Sequence, residues 1–487
     1  MLSERTFRFL NQEGSLESPE DWNSPARTML WSYNLHYFDD LNSAGAETRS
    51  AWHRKLVNRW ITENPPGHAL GWDPYPISRR MVNWIKWCLK GQECDASMSQ
   101  SLAVQARWLT QRLEHHLQGN HLFANAKALI YAGLFFQGDE AETWLETGWQ
   151  LATKQIPEQV LSDGGHFERS TMYHAGFLED LLDVIAMAKA YGRTIEDTWD
   201  TVVARMLSWL EAASHPDGEI AFFNDAAFGV FPTAQALRHY ASQLVCELPP
   251  RHGDLRQLMP SGYLTVIRGP WYLMCDVAPV GPDHLPAHAH ADTLSFEMSY
   301  LGRRVFVNSG TSEYGMAPER QRQRGTAAHN TVIVDGQDSS EVWAGFRVAR
   351  RARAYLLRAT CSEASVNIIG EHDGYKRLPG ANIHHREWRI EASGIRVHDS
   401  VKGSFGSAES RFHLHPDVTA HRGEDANTWR LGIMGGELQV RFEGARSVEL
   451  LDTTWHPEFG RTVPNKCLVA RFQGADLKAL VSQPNLP

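Results

Sequence analysis

The sequence predicts an α+β multidomain protein, with a helical domain over residues 1–250 followed by an antiparallel β-sandwich over residues 251–487. Three observations predict this. The chain has 487 residues, too many for one ordinary hydrophobic core. Up to about residue 250, apolar residues recur with the roughly 3.6-residue period of amphipathic helices. Beyond it the period falls to two, as in strands with one buried face.

The helical half is read first. In SLAVQARWLTQRLEHHL, Leu102, Ala106, Leu109, Leu113 and Leu117 follow steps of four and three. Leu145, Trp149, Ala152 and Ile156 do the same, as do Leu178, Leu181, Leu182 and Ile185. Successive helices with polar loops predict stacked helical hairpins. A toroid is one way to close such an array, and the period alone leaves toroid, solenoid and bundle open.

After CELPPRHGDLRQLMPSG, the segments YLTVIRG, TLSFEMSY, HREWRIEASGIRVHDSV and ELQVRFEG alternate or run as short apolar strands, with Gly-containing turns between them. Many short strands predict a sandwich. The change of period places the boundary at 245–260.

Composition narrows the function classes. Hydrophobic residues make up 42% and charged residues 22%, ordinary for a globular protein. The net charge of −9 excludes the basic footprint of a nucleic-acid binder. An anionic ligand would therefore need a local positive site. The 17 Trp and 13 Tyr are generous. Aromatic faces stack on sugars, but most aromatics fill cores. Cys88, Cys94, Cys246, Cys275, Cys361 and Cys467 are scattered without a CxxC pair, which argues against a disulfide framework or thiolate metal site. No stretch reaches the length of a membrane span. The start, MLSERTFRFLNQEG, lacks an apolar signal core. The expected location is cytoplasmic, or periplasmic or secreted if a signal has been removed.

Four clusters carry polar groups that could do chemistry. GNHLFANAKAL places Asn120 and His121 at a helix junction, where a capping role is equally natural. DGGHFERSTMYH gathers His166, Glu168, Arg169, Tyr173 and His174 just before an apolar helix. In PAHAHADTLSFEMSY, His288, His290 and Asp292 share the parity of Leu294, Phe296, Met298 and Tyr300. An extended strand would turn all three polar groups toward the core, which is costly without partners. The pattern therefore predicts a loop entering a strand, or a polar site at the sheet margin. An HxH pair is weak evidence alone, since RFHLHP has the same spacing at His413 and His415 and reads as plain strand. The fourth cluster, NSGTSEYG with RQRQRGTAAHNTVIVDG, holds Asn308, Tyr314, Arg324 and His329 near turns. Zinc takes three or four N, O or S ligands, often neutral imidazoles, and His290 and His329 on neighbouring strands could supply two.

In order and spacing, these motifs resemble the heparinase II/III-like polysaccharide lyases, and the resemblance covers most of the chain. It implies an incomplete (α/α) toroid before the sandwich, and an anionic, uronic-acid-containing polysaccharide as partner. Residue by residue, it implies that Asn120 and His121 face the uronate carboxylate and that Tyr173 and His288 are catalytic. It implies His290 and His329 as ligands of a structural Zn2+. Asn308 stands where zinc-containing relatives carry an aspartate, and an amide is a poorer zinc ligand. Tyr314 matches a second active-site tyrosine of some members. The stretches LWSYNLHYFDDL and GWDPYPISRRMVNWIKW resemble members encoded with bacterial exopolysaccharide or capsule genes.

Lyase chemistry explains why such residues are needed. β-Elimination removes the C5 proton of a uronate and expels the 4-linked sugar. Donors at the carboxylate stabilise the enolate-like state, a role for Asn120, His121 and the cation Arg79. Glu168, His174, Tyr314 and Arg324 complete the expected substrate-binding set. Tyr173 is assigned to proton transfer at the leaving oxygen, and His288 is the stronger base where C5–H faces it. Two alternatives stand. A glycoside hydrolase would need two carboxylates, and Glu168 with Asp225 is the pair to nominate. A polysaccharide-binding or biosynthetic accessory protein would need no turnover.

Overall fold

The computed structural model describes residues 1–244, 253–474 and 476–484. The boundary expected at 250/251, and Cys246, lie outside the described residues. The chain packs as two compact units, residues 1–159 with 179–199, and residues 160–178 with 200–487.

In the first unit, a hairpin of β1 (Thr6–Phe9) and β2 (Gln12–Ser15) precedes the helices. These are α1 (Met29–Tyr37), α2 (Ser50–Glu63), α3 (Pro74–Leu89), α4 (Ala96–Thr110), α5 (Gly119–Phe135) and α6 (Asp139–Gln159). Part of α7 (Thr171–Ala190) belongs here too. The apolar stripes read from the sequence face inward, and Leu102, Ala106 and Leu109 are fully buried. The helix carrying them is shorter than its period predicts. It ends at Thr110, Leu113 lies past its end, and Leu117 is exposed. The turn brings Glu114 to Asn125, whose Oδ1 accepts the Glu114 N–H at 2.9 Å and whose Nδ2 donates to Glu114 Oε2 at 2.9 Å. Those tertiary bonds override the local period. α5 and α6 approach backbone to backbone at Gly148, where a Cβ would lie 2.7 Å from the Ala126 carbonyl oxygen. Most of the tryptophans here are core. Trp22, Trp31, Trp60, Trp72 and Trp84 are buried, and Arg80 lies over Trp60 at 3.7 Å.

The second unit takes the loop from Val160 and the first two turns of α7, to Leu178, and continues through most of α8 (Asp197–Ala212) and α9 (Ala234–Ser242). A five-stranded antiparallel sheet follows in the order β3 (Leu255–Leu258), β4 (Tyr263–Arg268), β5 (Trp271–Asp276), β6 (Phe296–Tyr300), β7 (Arg303–Phe306). A short helix, α10 (Pro318–Arg324), precedes β8 (Val332–Val334) and a small hairpin of β9 (Val342–Trp343) and β10 (Arg347–Val348). Then come β11 (Ala354–Cys361), β12 (Val366–His372), β13 (Ile383–Glu391), β14 (Gly394–Lys402), β15 (Ala408–His413), β16 (Thr419–Arg422) and β17 (Thr428–Ile433). The last are β18 (Gly436–Glu443), β19 (Ser447–Trp455), β20 (Val463–Phe472) and β21 (Asp476–Ser482). They form an eight-stranded sheet, β11-β12-β13-β14-β21-β18-β17-β16, and a four-stranded one, β19-β20-β15-β8.

One apolar core draws residues from all three of these sheets, including Leu273, Phe296, Val332, Trp388, Phe412 and Val481. β12 and β13 bury alternate residues, as the period of two predicts. β5 is buried at every position because its sheet is covered on both faces. Leu273 and Cys275 enter the main core, while Tyr272 and Met274 pack with Trp209 and Ala212 of α8. Among the described residues, no helix is long and apolar enough to cross a membrane. The described cysteines, Cys88, Cys94, Cys275, Cys361 and Cys467, are free thiols.

Candidate active site

The HAHAD residues lie in the loop between β5 and β6, which enters the strand only at Phe296. The backbone turns away before that point, with Leu294 at φ +60° and the Ser295 N–H donating to the Asp292 carbonyl at 2.8 Å. The polar side chains so escape the core face that strict alternation would give them.

They are organised around Asp225. This fully buried carboxylate accepts from His288 Nδ1 and from His290 Nε2, each at 2.8 Å. It also accepts from both terminal nitrogens of the buried Arg320, with Nη2 at 2.8 Å, and from Thr311 Oγ1 at 3.3 Å. Burial alone would raise the Asp225 carboxyl. Arg320 and the two imidazole hydrogen bonds outweigh it and hold the group well below the usual carboxylate range. An ionised Asp225 only accepts, so each imidazole must donate to it. His288 is thereby fixed with its Nδ1–H on Asp225 and Nε2 directed elsewhere.

His288 Nε2 lies 3.6 Å from Glu168 Oε2, and the His288 ring lies 4.0 Å from the ring of Tyr173. The His288 side chain keeps 13% exposure against 1% for His290, so of the two it is the one open to a ligand. Tyr173 sits in the first turn of α7. Ser170 ends the preceding loop, accepts the Tyr173 N–H at 3.1 Å and donates to the Asp225 carbonyl. Tyr173 Oη meets Tyr314 Oη at 2.7 Å. Burial first, then Tyr314 and Asp225, raises the Tyr173 phenol well above its ordinary value, and burial and Asp225 do the same for Tyr314. The structure thus brings together Tyr173, Tyr314, His288 and Glu168.

A separate set lies behind His288. His290 Nδ1 and both ring nitrogens of His329 make no hydrogen bond of normal geometry, although both residues are buried. With Asp292, they offer ligand atoms within 4.8 Å of one another. Burial keeps the His329 imidazole neutral, the form that binds metal. Two imidazoles kept neutral by burial, each with a ring nitrogen that makes no normal hydrogen bond, and a buried carboxylate fit a divalent cation. Asn308, expected as the third ligand, is engaged by its surroundings. Its Oδ1 accepts from Asn330 N at 3.0 Å and its Nδ2 donates to the Phe222 carbonyl at 2.8 Å and toward Ser295 Oγ at 3.4 Å. The carboxylate beside the two imidazoles is that of Asp292.

Other expectations are corrected by burial. His174 is fully buried, with Nδ1 accepting from His166 N at 3.1 Å and Nε2 on the Met206 carbonyl at 2.9 Å. Burial holds it down to about 4, and it is a structural histidine rather than a substrate contact. Arg324, also fully buried, donates to the carbonyls of Ala289, Trp343, Ala344 and Arg347. It ties the β9–β10 hairpin to the HAHAD loop and offers nothing to a ligand. Asp225 has no free oxygen for the attack or proton transfer that a hydrolase pair requires.

Asn120, His121 and Arg79 lie in the first unit. Asn120 and His121 occupy the first turn of α5. His121 Nδ1 pairs with Glu114 Oε1 at 2.9 Å, and its ring lies 4.4 Å from Tyr75. Arg79 is shared between Asp39 at 3.3 Å and Asp180 at 3.9 Å. The reading of the sequence missed Arg320, Thr311 and the organising role of Asp225. A usable signal was the RQRQR run, which puts Arg320 and Arg324 one helical turn apart on the same face.

Fold and site together define a class, the proteins in which an incomplete (α/α) toroid precedes an antiparallel β-sandwich. A crystal structure of heparinase III matches the fold with a TM-score of 0.79 at 18% identity, covering 96% of this chain and 79% of its own. Residues 41–245 match the heparinase II/III N-terminus and residues 250–483 the heparinase II/III-like C-terminal region. The chain belongs to the heparinase II/III-like family. A heparin-sulfate lyase of Bacteroides stercoris is 28% identical over 342 residues, which is 64% of this chain and 47% of that protein. The chain thus spans about half the length of that relative. FtsZ-localized protein C of Caulobacter vibrioides is 26% identical over 442 residues, 84% of this chain and 73% of that protein.

Proposed function

We propose that the protein is a polysaccharide lyase that cleaves a uronic-acid-containing polysaccharide, glycosaminoglycan-like or a bacterial exopolysaccharide, by β-elimination. The observation that carries this reading is the Asp225–His288 pair set against the paired hydroxyls of Tyr173 and Tyr314.

His288 Nε2, with its lone pair fixed by the Asp225 bond, takes the proton from C5 of the uronate. The C5–H electron pair becomes the C4–C5 double bond as the C4–O bond breaks. Tyr173, kept protonated by burial, gives its proton to the departing oxygen. Tyr314 accepts or donates at the Tyr173 hydroxyl and can relay a proton back. His288 then loses its proton to solvent, for which its partial exposure suffices. The uronate carboxylate also needs donors, the role the resemblance implies for Asn120 and His121. His290, Asp292 and His329 would hold a divalent cation such as Zn2+, whose charge would brace the HAHAD loop.

The test is a panel of heparosan, heparan sulfate, hyaluronan, alginate, glucuronan and capsular polymers, followed by the ultraviolet absorbance of the unsaturated product. Cleavage of any polymer without that chromophore would refute the lyase reading and favour hydrolysis. A second reading, a non-catalytic polysaccharide-binding or accessory protein, is favoured by the similarity over 84% of the chain to a protein named FtsZ-localized protein C. Binding without any turnover across the panel would support it.

A further inference from the structure

The hairpin β9–β10 presents large side chains to solvent immediately beside the candidate catalytic groups. Trp343 is 55% exposed and Phe346 38%. Phe346 packs edge-on against His288, with ring centres 6.0 Å apart, and against Tyr314 at 5.2 Å. Trp343 is paired directly across the hairpin with Arg347, so the two side chains leave the same face. Arg347 is exposed and has no carboxylate partner among the described residues.

The backbone beneath these side chains is fixed. Arg324 donates to the carbonyls of Trp343, Ala344 and Arg347, and Arg320 Nε donates to that of Gly345 at 3.1 Å. Gln321 donates to the Ala344 carbonyl as well. Gly345 passes so near the segment carrying Tyr314 that a Cβ there would lie 2.5 Å from the Gly315 carbonyl oxygen. The same Arg320 and Arg324 hold Asp225 and Ala289, so the hairpin and the His288 loop share one clamp. A loop braced this way loses little entropy on binding, and exposed aromatics on it are pre-organised for contact.

We propose that Trp343, Phe346 and Arg347 form a subsite for an anionic pyranose ring of the substrate, next to the ring on which Tyr173 and His288 act. The apolar face of a sugar stacks on the indole and phenyl groups. The guanidinium takes the ring's carboxylate or sulfate, giving this acidic chain a local positive point for an anionic polymer. Arg347 and the shared clamp distinguish the patch from an apolar surface that any protein could cover. The proposal rests on the lyase reading for its substrate class.

The experiment uses Trp343→Ala, Arg347→Ala and the double variant in the full chain, with thermal unfolding to establish that each folds. KM and kcat are read by ultraviolet absorbance on whichever polymer is cleaved. Binding of heparosan tetra- and hexasaccharides is read by tryptophan fluorescence in the Tyr173→Phe background, with neutral dextran oligosaccharides as control. We expect KM to rise about tenfold or more in Trp343→Ala, with kcat falling less than threefold. The fluorescence response should be lost in Trp343→Ala, and the preference for charged over neutral oligosaccharides should be lost in Arg347→Ala. Turnover with unchanged KM and Kd in the double variant overturns the subsite and leaves the lyase reading intact. Trp343-dependent binding with no unsaturated product from any polymer does the reverse.

Discussion

The hydroxyls of Tyr173 and Tyr314 meet at 2.7 Å although the residues are 141 apart in sequence. Two half-buried phenols sharing one hydrogen bond leave a single proton facing outward. If Tyr173 delivers that proton, Tyr173→Phe should lower kcat by about 10²–10⁴-fold with little change in Tm. Tyr314→Phe should cost less, because it removes only the partner. Steady-state kinetics with thermal unfolding checks both, and a fully active Tyr173→Phe would remove the tyrosine from the mechanism.

The pH profile follows from the direction of the Tyr173 shift. Burial, Tyr314, Asp225 and Glu168 all favour the neutral phenol. An acid must be protonated to act, so raising its pKa extends activity upward. The expected kcat/KM shows no alkaline loss from Tyr173 below about pH 10, the ordinary tyrosine value. A rate climbing tenfold per pH unit toward pH 10 would instead identify a phenolate base.

How much of this was legible in the sequence depends on which residues were neighbours in the chain. The change of period separated helices from strands, and the parity of His288, His290 and Asp292 with the core side of β6 predicted either a loop entering that strand or a polar site at the sheet margin. That loop is present. The stripe through Leu113 and Leu117 misled, because the Asn125–Glu114 bonds end the helix earlier. Asn308 was read as a ligand from the resemblance, and the hydrogen bonds it makes to Asn330 N and the Phe222 carbonyl could not be read from the sequence. The Asp225 junction joins residues 63 and 95 positions away, and no local pattern encodes it.

Asp225→Asn tests that junction. The amide keeps the shape but cannot neutralise Arg320, and its NH2 group would face an imidazole N–H. Removing one partner of a buried ion pair costs about 3–5 kcal/mol. Asp225→Asn should therefore lower both Tm and kcat. Asp225→Asn with Arg320→Met should recover part of the Tm without the kcat, because His288 still lacks its orienting acceptor. Recovery of both would show that Asp225 acts through stability alone.

The metal set makes a prediction independent of turnover. Elemental analysis of untagged protein should find about one divalent ion per chain, zinc by the ligand types. A cation bound only to the folded state stabilises it, so a chelator should lower Tm. His329→Ala should remove both the ion and the chelator response, while Asn308→Asp should leave the stoichiometry unchanged. Metal-free protein that gains no stability on zinc titration would show that the two histidines lie together without a ligand role.

The buried charges of the first unit give the sharpest test of its stability. Lys127 on α5 reaches Asp180 Oδ1 at 2.6 Å and also Asp183, which Lys86 on α3 pairs with as well. Burial pushes the Asp183 carboxyl up, but Lys127 and Lys86 outweigh it and hold the group well below its ordinary range. A depressed carboxyl contributes stability above its unfolded value of about 4, and loses it as pH falls through the folded value. Lys127→Met strips the cation from between two buried carboxylates, at a cost of about 3–5 kcal/mol near neutral pH. In that variant Asp183 keeps only Lys86 of its two cations and is held down less, so its protonation relieves part of the cost. The deficit in Tm against the parent protein should shrink from pH 7 to pH 4, because protonation relieves the variant while the parent, whose Asp183 stays ionised above its depressed value, keeps that contribution over this range. Thermal unfolding at pH 7, 5.5 and 4 reads this directly. A deficit that does not change with pH would mean that Lys127 stabilises the helices by packing alone.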